Sequence, residues 1–174
     1  MDNISTYQGA LEVFRKVGWV GTTENCIFGA IVDSSKSTEF TASMAGYGAF
    51  GVAGYLAGNI IGQERDIRIN DINNYLFVLI NITENGVGIM PLRGGGLKID
   101  PEKLMPFYDG FVYFAYQELA GITAKNFYGI RKSVKAITIT LVNKYKLHFN
   151  ANMSEKKLPY QENSMNYFVG KYQK

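Results

Sequence analysis

The chain has 174 residues, with one cysteine, one histidine, nineteen glycines and a formal net charge of +3. This length fits a single domain, 1–174, that can bury a core without disulfides or metals. A lone Cys26 excludes an intrachain disulfide, and Cys26 with His148 cannot supply a zinc site of the usual Cys/His type. Any nucleophilic site would depend on these single copies, and no carboxylate pair stands out. We therefore expect no enzyme activity, no metal and no cofactor.

Charge is distributed unevenly along the chain. Residues 111–174 carry ten basic and three acidic side chains, a net charge of +7, whereas residues 42–62 carry no formal charge. A basic C-terminal third favours an anionic partner. The alternative is a solvated, lysine-rich surface.

Residues 1–18 predict an amphipathic helix rather than a signal peptide, because charged residues interrupt every apolar run. Ser5 and Gln8 have the spacing of a capping box. Gly18 predicts the end of the helix. The apolar residues recur at steps of three and four on one face: Ile4, Tyr7, Leu11 and Phe14. After this helix, the apolar run 26–32 predicts a buried strand with Cys26 in the core.

Residues 42–62 form an insert of 21 residues that contains six glycines. Small residues recur every four positions, a spacing that lets another backbone approach closely. These close-packing candidates are Gly54, Gly58, Gly62, Ala49, Ala53 and Ala57. A helix of this length spans roughly 31 Å, near the thickness of a bilayer core. We expect a helix or hairpin packed on its own domain or on a second copy; membrane insertion and an irregular loop are the alternatives.

A β-rich region follows the insert. Residues 75–83 predict a strand, Asn85-Gly86 a two-residue hairpin turn and residues 87–92 the return strand, which Pro91 ends or places at an edge. The glycine-rich loop at 93–98 lacks the spacing of a phosphate-binding loop, so we interpret it as a connection. Further strands are predicted at 111–116, 122–128, 134–142 and 145–149, before a C-terminal helix over 159–172. Asp100-Pro101 predicts a short helical turn.

The segment 125–135 is the best candidate for a binding site. Cations cluster there around a predicted turn, with two aromatic residues beside them and two more lysines in the following hairpin. The candidates for binding an anion or lipid are Lys125, Arg131, Lys132, Lys135, Lys144, Lys146, Phe127 and Tyr128. Such a surface attracts phosphates or an anionic membrane. Aromatic residues beside cations also suit single-stranded nucleic acid, but no RNA-binding signature accompanies them, so nucleic acid is the less favoured partner.

The order of these elements resembles bacterial pleckstrin-homology-like domains, the broader group that includes GRAM domains. The resemblance covers residues 24–174 and depends on a few stretches of the chain. They are Cys26–Val32 followed by the insert 42–62, Tyr75–Leu79 with Gly88–Leu92, Tyr116–Ile122, and Leu158–Asn163 at the start of the last helix.

The resemblance implies an α+β fold, a bent antiparallel barrel capped by the C-terminal helix, with the N-terminal helix and the Gly/Ala-rich insert added. It also implies binding of lipid headgroups, peptides or partner proteins rather than catalysis, although no headgroup motif carries over residue by residue. We expect a cytoplasmic, non-catalytic module at an anionic membrane surface or in a scaffold. The alternative is a soluble homo-oligomeric domain that assembles through the insert and has no lipid ligand.

Overall fold

The computed structural model describes residues 3–32, 75–94 and 99–173. Within these residues it contains two α-helices and one antiparallel sheet of eight strands. The insert 42–62, with the glycine and alanine rows predicted to pack closely, lies outside the described residues, as do residues 95–98 of the glycine-rich loop. The α+β class expected from the sequence is confirmed.

One helix precedes the strands along the chain and the other follows them. The helices are α1 (Tyr7–Arg15) and α2 (Gln161–Tyr172). The strands are β1 (Asn25–Ile31), β2 (Phe77–Thr83), β3 (Gly86–Gly94), β4 (Leu104–Pro106), β5 (Val112–Ala115), β6 (Leu119–Phe127), β7 (Arg131–Leu141) and β8 (Lys146–Asn152). Three 3₁₀ turns lie at Pro101–Lys103, Tyr108–Gly110 and Tyr116–Glu118.

The sheet has the strand order β4-β3-β2-β1-β8-β7-β6, and β5 pairs with β3 beside β4. Strands β5 and β6 therefore belong to opposite edges of the sheet, yet only Tyr116–Glu118 joins them. Because a link this short spans at most about 14 Å, the sheet must curl until its edges approach each other. No ladder joins the two edges within the described residues. The bent antiparallel barrel that the resemblance implies is therefore found only in part: the sheet is curled but open.

Strands β1 and β8 separate after a short ladder. They pair only at Ala30–Asn150 and Ile31–Phe149. Beyond this ladder the buried side-chain amide of Gln161 takes the place of a strand partner. Its Oε1 accepts from the Phe28 N–H at 2.9 Å, and its Nε2 donates to the carbonyl oxygens of Phe28 at 2.9 Å and Asn152 at 3.0 Å. The first residue of α2 thus satisfies backbone groups at the split in the sheet, which would be costly to bury unpaired.

Both helices cover the core with apolar side chains, and in α1 these belong to the face that the sequence predicts. In α1, Leu11 and Phe14 are buried, and in α2, Met165 and Phe168 are fully buried. The predicted capping box is wrong, because α1 is capped by Thr6, whose Oγ1 accepts from the Gly9 N–H at 3.1 Å. This side chain satisfies one of the backbone donors left free at a helix start.

Two details of the β2–β3 hairpin differ from the prediction. Thr83 pairs with Gly86, so Glu84 and Asn85 form the turn and not Asn85-Gly86. Strand β3 also continues past Pro91 to Gly94. Pro91 lies where the edge partner of β3 changes from β5 to β4, a break at which the missing proline N–H costs the sheet little.

Candidate functional site

A tight turn joins β6 to β7. Tyr128 and Gly129 both have left-handed backbone conformations, with φ of 52° and 74°. The Ile130 N–H donates to the Phe127 carbonyl oxygen at 3.3 Å. The φ values of these two successive left-handed residues match those of a type I′ turn, and residues 128–130 connect the paired Phe127 and Arg131. A tyrosine in this conformation costs roughly 1–2 kcal/mol, which glycine at the next position avoids.

The turn exposes large apolar side chains. Ile130 is 80% exposed and Tyr128 is 56% exposed, whereas Phe127 is buried. The rings of Phe127 and Tyr128 lie 4.2 Å apart between centroids, so the buried ring supports the exposed one. Both aromatic residues are among the candidates predicted from the sequence, whereas Ile130 is not. The signal available was an apolar residue within a predicted turn, between a glycine and two cations.

Three cations surround this turn. Lys125, Arg131 and Lys132 are exposed, and within the described part of the chain their side chains make no hydrogen bond or ion pair. The ladder between β6 and β7 shifts here from Asn126–Lys135 to Phe127–Arg131, so that Lys132 lies in a bulge of β7. We call Lys125 together with residues 127–132 the basic tip.

No acidic residue offsets this charge along the hairpins. From residue 119 to residue 154, a stretch that covers β6, β7 and β8, the chain contains no aspartate or glutamate. The next acidic residue, Glu155, accepts a hydrogen bond from Asn152 Nδ2 at 3.4 Å. Charges of one sign that lie this close add to a positive local potential, which attracts anions.

Lys135, predicted as part of the same group, lies elsewhere. Its side chain is buried, with 5% of the residue exposed. Its Nζ donates to Asn126 Oδ1 at 2.6 Å and to Gln173 Oε1 at 3.1 Å. Lys135 therefore joins β6 to the residue that follows α2, and its ammonium group is not presented to a surface ligand.

Lys144 and Lys146 lie at the other end of β7. Lys144 is in the β7–β8 turn and Lys146 begins β8, where it pairs with Thr140. From Arg131 to Leu141, strand β7 extends over roughly 33 Å at the usual rise per residue. The structure thus brings Lys125, Arg131 and Lys132 together with the aromatic candidates and separates them from these two lysines. We call residues 142–145 the distal turn.

Cys26 and His148, the two residues considered for nucleophilic chemistry, lie outside the basic tip. Cys26 is fully buried, and burial raises the pKa of its thiol well above the usual range, which disfavours the reactive thiolate. His148 is half-buried and its Nδ1 lies 3.1 Å from Thr138 Oγ1. Burial and the nearby Lys146 lower the pKa of His148, so the neutral ring is favoured. Among the described residues no group of His, Cys, Asp and Glu is arranged to hold a metal ion.

Neither protein families, nor curated proteins, nor solved structures match this chain. The geometry of its own residues must therefore carry the functional argument. None of the helices in the described ranges is both long enough and apolar enough to cross a bilayer.

A cleft of about 140 Å³ lies beside α2, lined by Glu84, Tyr167 and Lys171 among others. It is smaller than the roughly 300–1,000 Å³ of common small-molecule sites. The Glu84 carboxylate accepts from the backbone N–H groups of Thr22 at 2.7 Å and Thr23 at 2.9 Å. These bonds lower the pKa of Glu84 to about 2 and use the carboxylate to fasten the chain after α1 to the β2–β3 turn.

Arg93, at the start of the glycine-rich loop, packs against aromatic rings. Its guanidinium carbon lies 3.4 Å from the centroid of the Phe107 ring, and its Nη2 donates to the Tyr75 hydroxyl at 3.3 Å. Stacking of this kind satisfies a guanidinium group within the protein. Within the described ranges, the cations of the basic tip have no such partner.

Proposed function

We propose that this protein is a non-catalytic module that binds an anionic membrane surface through the basic tip. The observation that carries the proposal is the cluster of three exposed cations, Lys125, Arg131 and Lys132, in a stretch of 36 residues, 119–154, without an acidic side chain. Each cation held near an anionic bilayer contributes about 1 kcal/mol, so three contribute about 3 kcal/mol.

Membership of the pleckstrin-homology-like group is part of the same proposal. Supporting it are a single curled antiparallel sheet, a first strand that neighbours the last, and a C-terminal helix lying against their junction. The proposed module is peripheral to the membrane and faces the cytoplasm, where anionic lipids give the bilayer surface its negative potential. The alternative of a homo-oligomer depends on the insert 42–62, so no described contact favours it.

Vesicle flotation tests the proposal. The full chain is expected to float with vesicles that contain equal parts of phosphatidylglycerol and phosphatidylcholine, and to stay behind with phosphatidylcholine alone. Binding is expected to weaken as salt is raised, because salt screens exposed charges. Equal binding to both kinds of vesicle, or no binding to either, would refute the proposal.

A further inference from the structure

The apex of the basic tip is apolar, and the cations do not explain this. Hairpin turns usually carry glycine, asparagine or aspartate, which are polar or small. Here Ile130 is the most exposed large hydrophobic residue described, at 80%, and Tyr128 is beside it at 56%. Scattered exposed hydrophobic residues are ordinary. Two of them adjoin at the outermost point of one hairpin, which makes this turn a surface suited to an apolar environment.

The backbone at Tyr128 provides a second, independent observation. A type I′ turn strongly favours Asn-Gly, and Gly129 occupies the second position as expected. Tyr128 occupies the first position with φ of 52°, a conformation that is unfavourable for an aromatic residue. Strained residues of this kind are concentrated at functional sites. The strain therefore suggests that the ring itself is used, and not only the turn.

The arrangement of charge around the apex matches a bilayer interface. Arg131 and Lys132 follow Ile130 directly, and Lys125 precedes Phe127 by two residues on the opposite strand. Long basic side chains keep their charged ends at headgroup level while apolar neighbours go deeper. Tyrosine is itself enriched at the interface between lipid and water. A convex tip of this kind fits a soft planar surface better than it fits a protein, which would need a matching groove.

We infer that the basic tip inserts into the lipid layer, with Ile130 below the headgroups and with Tyr128, Lys125, Arg131 and Lys132 at headgroup level. This inference rests on the proposed function and adds how deeply the basic tip enters the bilayer. Apolar side chains at such a boundary enter by roughly 5–10 Å. Binding then has two parts: an electrostatic part that salt weakens and an apolar part that salt leaves intact.

A fluorescent label at the apex measures the insertion directly. Because Cys26 is fully buried, a thiol introduced by Ile130→Cys can be labelled selectively with an environment-sensitive dye. The matched control is Val142→Cys, an exposed apolar position in the distal turn. With the phosphatidylglycerol vesicles, the label at position 130 is expected to shift to the blue and to be quenched by spin-labelled lipid. The label at position 142 is expected to do neither.

A second pair of variants, Ile130→Ser and Val142→Ser, measures the contribution to affinity. Ile130→Ser is expected to reduce vesicle partitioning about tenfold, at low and at high salt alike, and Val142→Ser to leave it unchanged. Circular dichroism melting checks that both variants fold as the parent does.

The outcomes separate the two proposals. If the parent chain binds anionic vesicles but the label at position 130 does not respond, or Ile130→Ser binds as the parent does, insertion is wrong and surface binding stands. If the parent chain binds no vesicle, both proposals fail. A response at position 130 with equal binding to neutral vesicles would support insertion and refute the requirement for anionic lipid.

Discussion

The two turns at the ends of β7 differ although their composition is similar. Each contains a non-glycine residue whose backbone is left-handed: Tyr128 in the basic tip and Lys144 in the distal turn. In the distal turn the strain is balanced by a local bond, because Asn143 Oδ1 accepts from the Tyr145 N–H at 3.0 Å. The basic tip exposes two large apolar side chains, Ile130 at 80% and Tyr128 at 56%, whereas the distal turn exposes Val142 at 47%. Because Lys144 and Lys146 are exposed like the cations of the basic tip, the exposed apolar surface distinguishes the two turns better than the cations do.

The largest difference is expected when two charges are removed at each end of β7. Arg131→Gln/Lys132→Gln is expected to weaken binding to phosphatidylglycerol vesicles by about 2 kcal/mol, or roughly 30-fold, because both cations lie at the proposed contact. Lys144→Gln/Lys146→Gln removes the same charge from the other end of β7 and is expected to change binding less than about threefold. Vesicle sedimentation measures both variants. Equal losses would mean that net charge, and not the basic tip, determines binding.

A smaller effect, on the free energy of unfolding, is expected when Lys135 is replaced. The sequence predicts that this residue belongs with the exposed cations. Lys135→Met keeps the buried stem but removes both hydrogen bonds of the ammonium group, so it is expected to lower the free energy of unfolding by about 1.5 kcal/mol. Lys132→Met, at an exposed position, is expected to stay within about 0.5 kcal/mol of the parent. Urea unfolding followed by circular dichroism compares them. If Lys135→Met lowered the free energy of unfolding less than Lys132→Met does, the structural role of Lys135 would be contradicted.

The smallest expected effect distinguishes the backbone strain at Tyr128 from the role of its ring in membrane binding. Tyr128→Asn and Lys144→Asn each place a residue that tolerates the left-handed conformation in its turn, and each is expected to raise the free energy of unfolding by about 0.5–1 kcal/mol. Only Tyr128→Asn is expected to weaken vesicle binding. Thermal melting and flotation on the same samples test this, and a Tyr128→Asn protein that binds as tightly as the parent would show that the ring has no part in binding.

Much of the local structure could be predicted, because alternation and helical spacing depend on neighbouring residues. Ile137, Ile139 and Leu141 alternate along the strand predicted at 134–142, and they share the buried face of β7. The same alternation places Lys135 on that face, two residues before Ile137, so its burial was accessible from the sequence. Grouping residues by charge alone concealed it.

Other features depend on contacts between distant residues and could not be predicted. The partners of Lys135, Asn126 and Gln173, come from another strand and from the end of the chain. The order of the strands and the insertion of Gln161 between β1 and β8 likewise require the folded sheet. The separation of Lys144 and Lys146 from the basic tip follows from the length of β7, which the sequence underestimated. The position of Ile130 in a predicted turn was a signal for its exposure, but by composition the residue resembles a core residue.

Helix α2 is attached at both ends to the sheet that it covers. Gln161 bonds to β1 and β8 at its start, and Gln173, just after its end, bonds to Lys135 of β7. The helix therefore spans the split between β1 and β8. It is also bonded to β7, one strand of the hairpin that carries the basic tip. Because the Phe28 N–H is held by Gln161 and not by a strand on that side, its hydrogen exchange is linked to detachment of the helix. The hydrogen-exchange rate of the Phe28 amide thus reports whether the two parts of the sheet, on either side of the split between β1 and β8, move together.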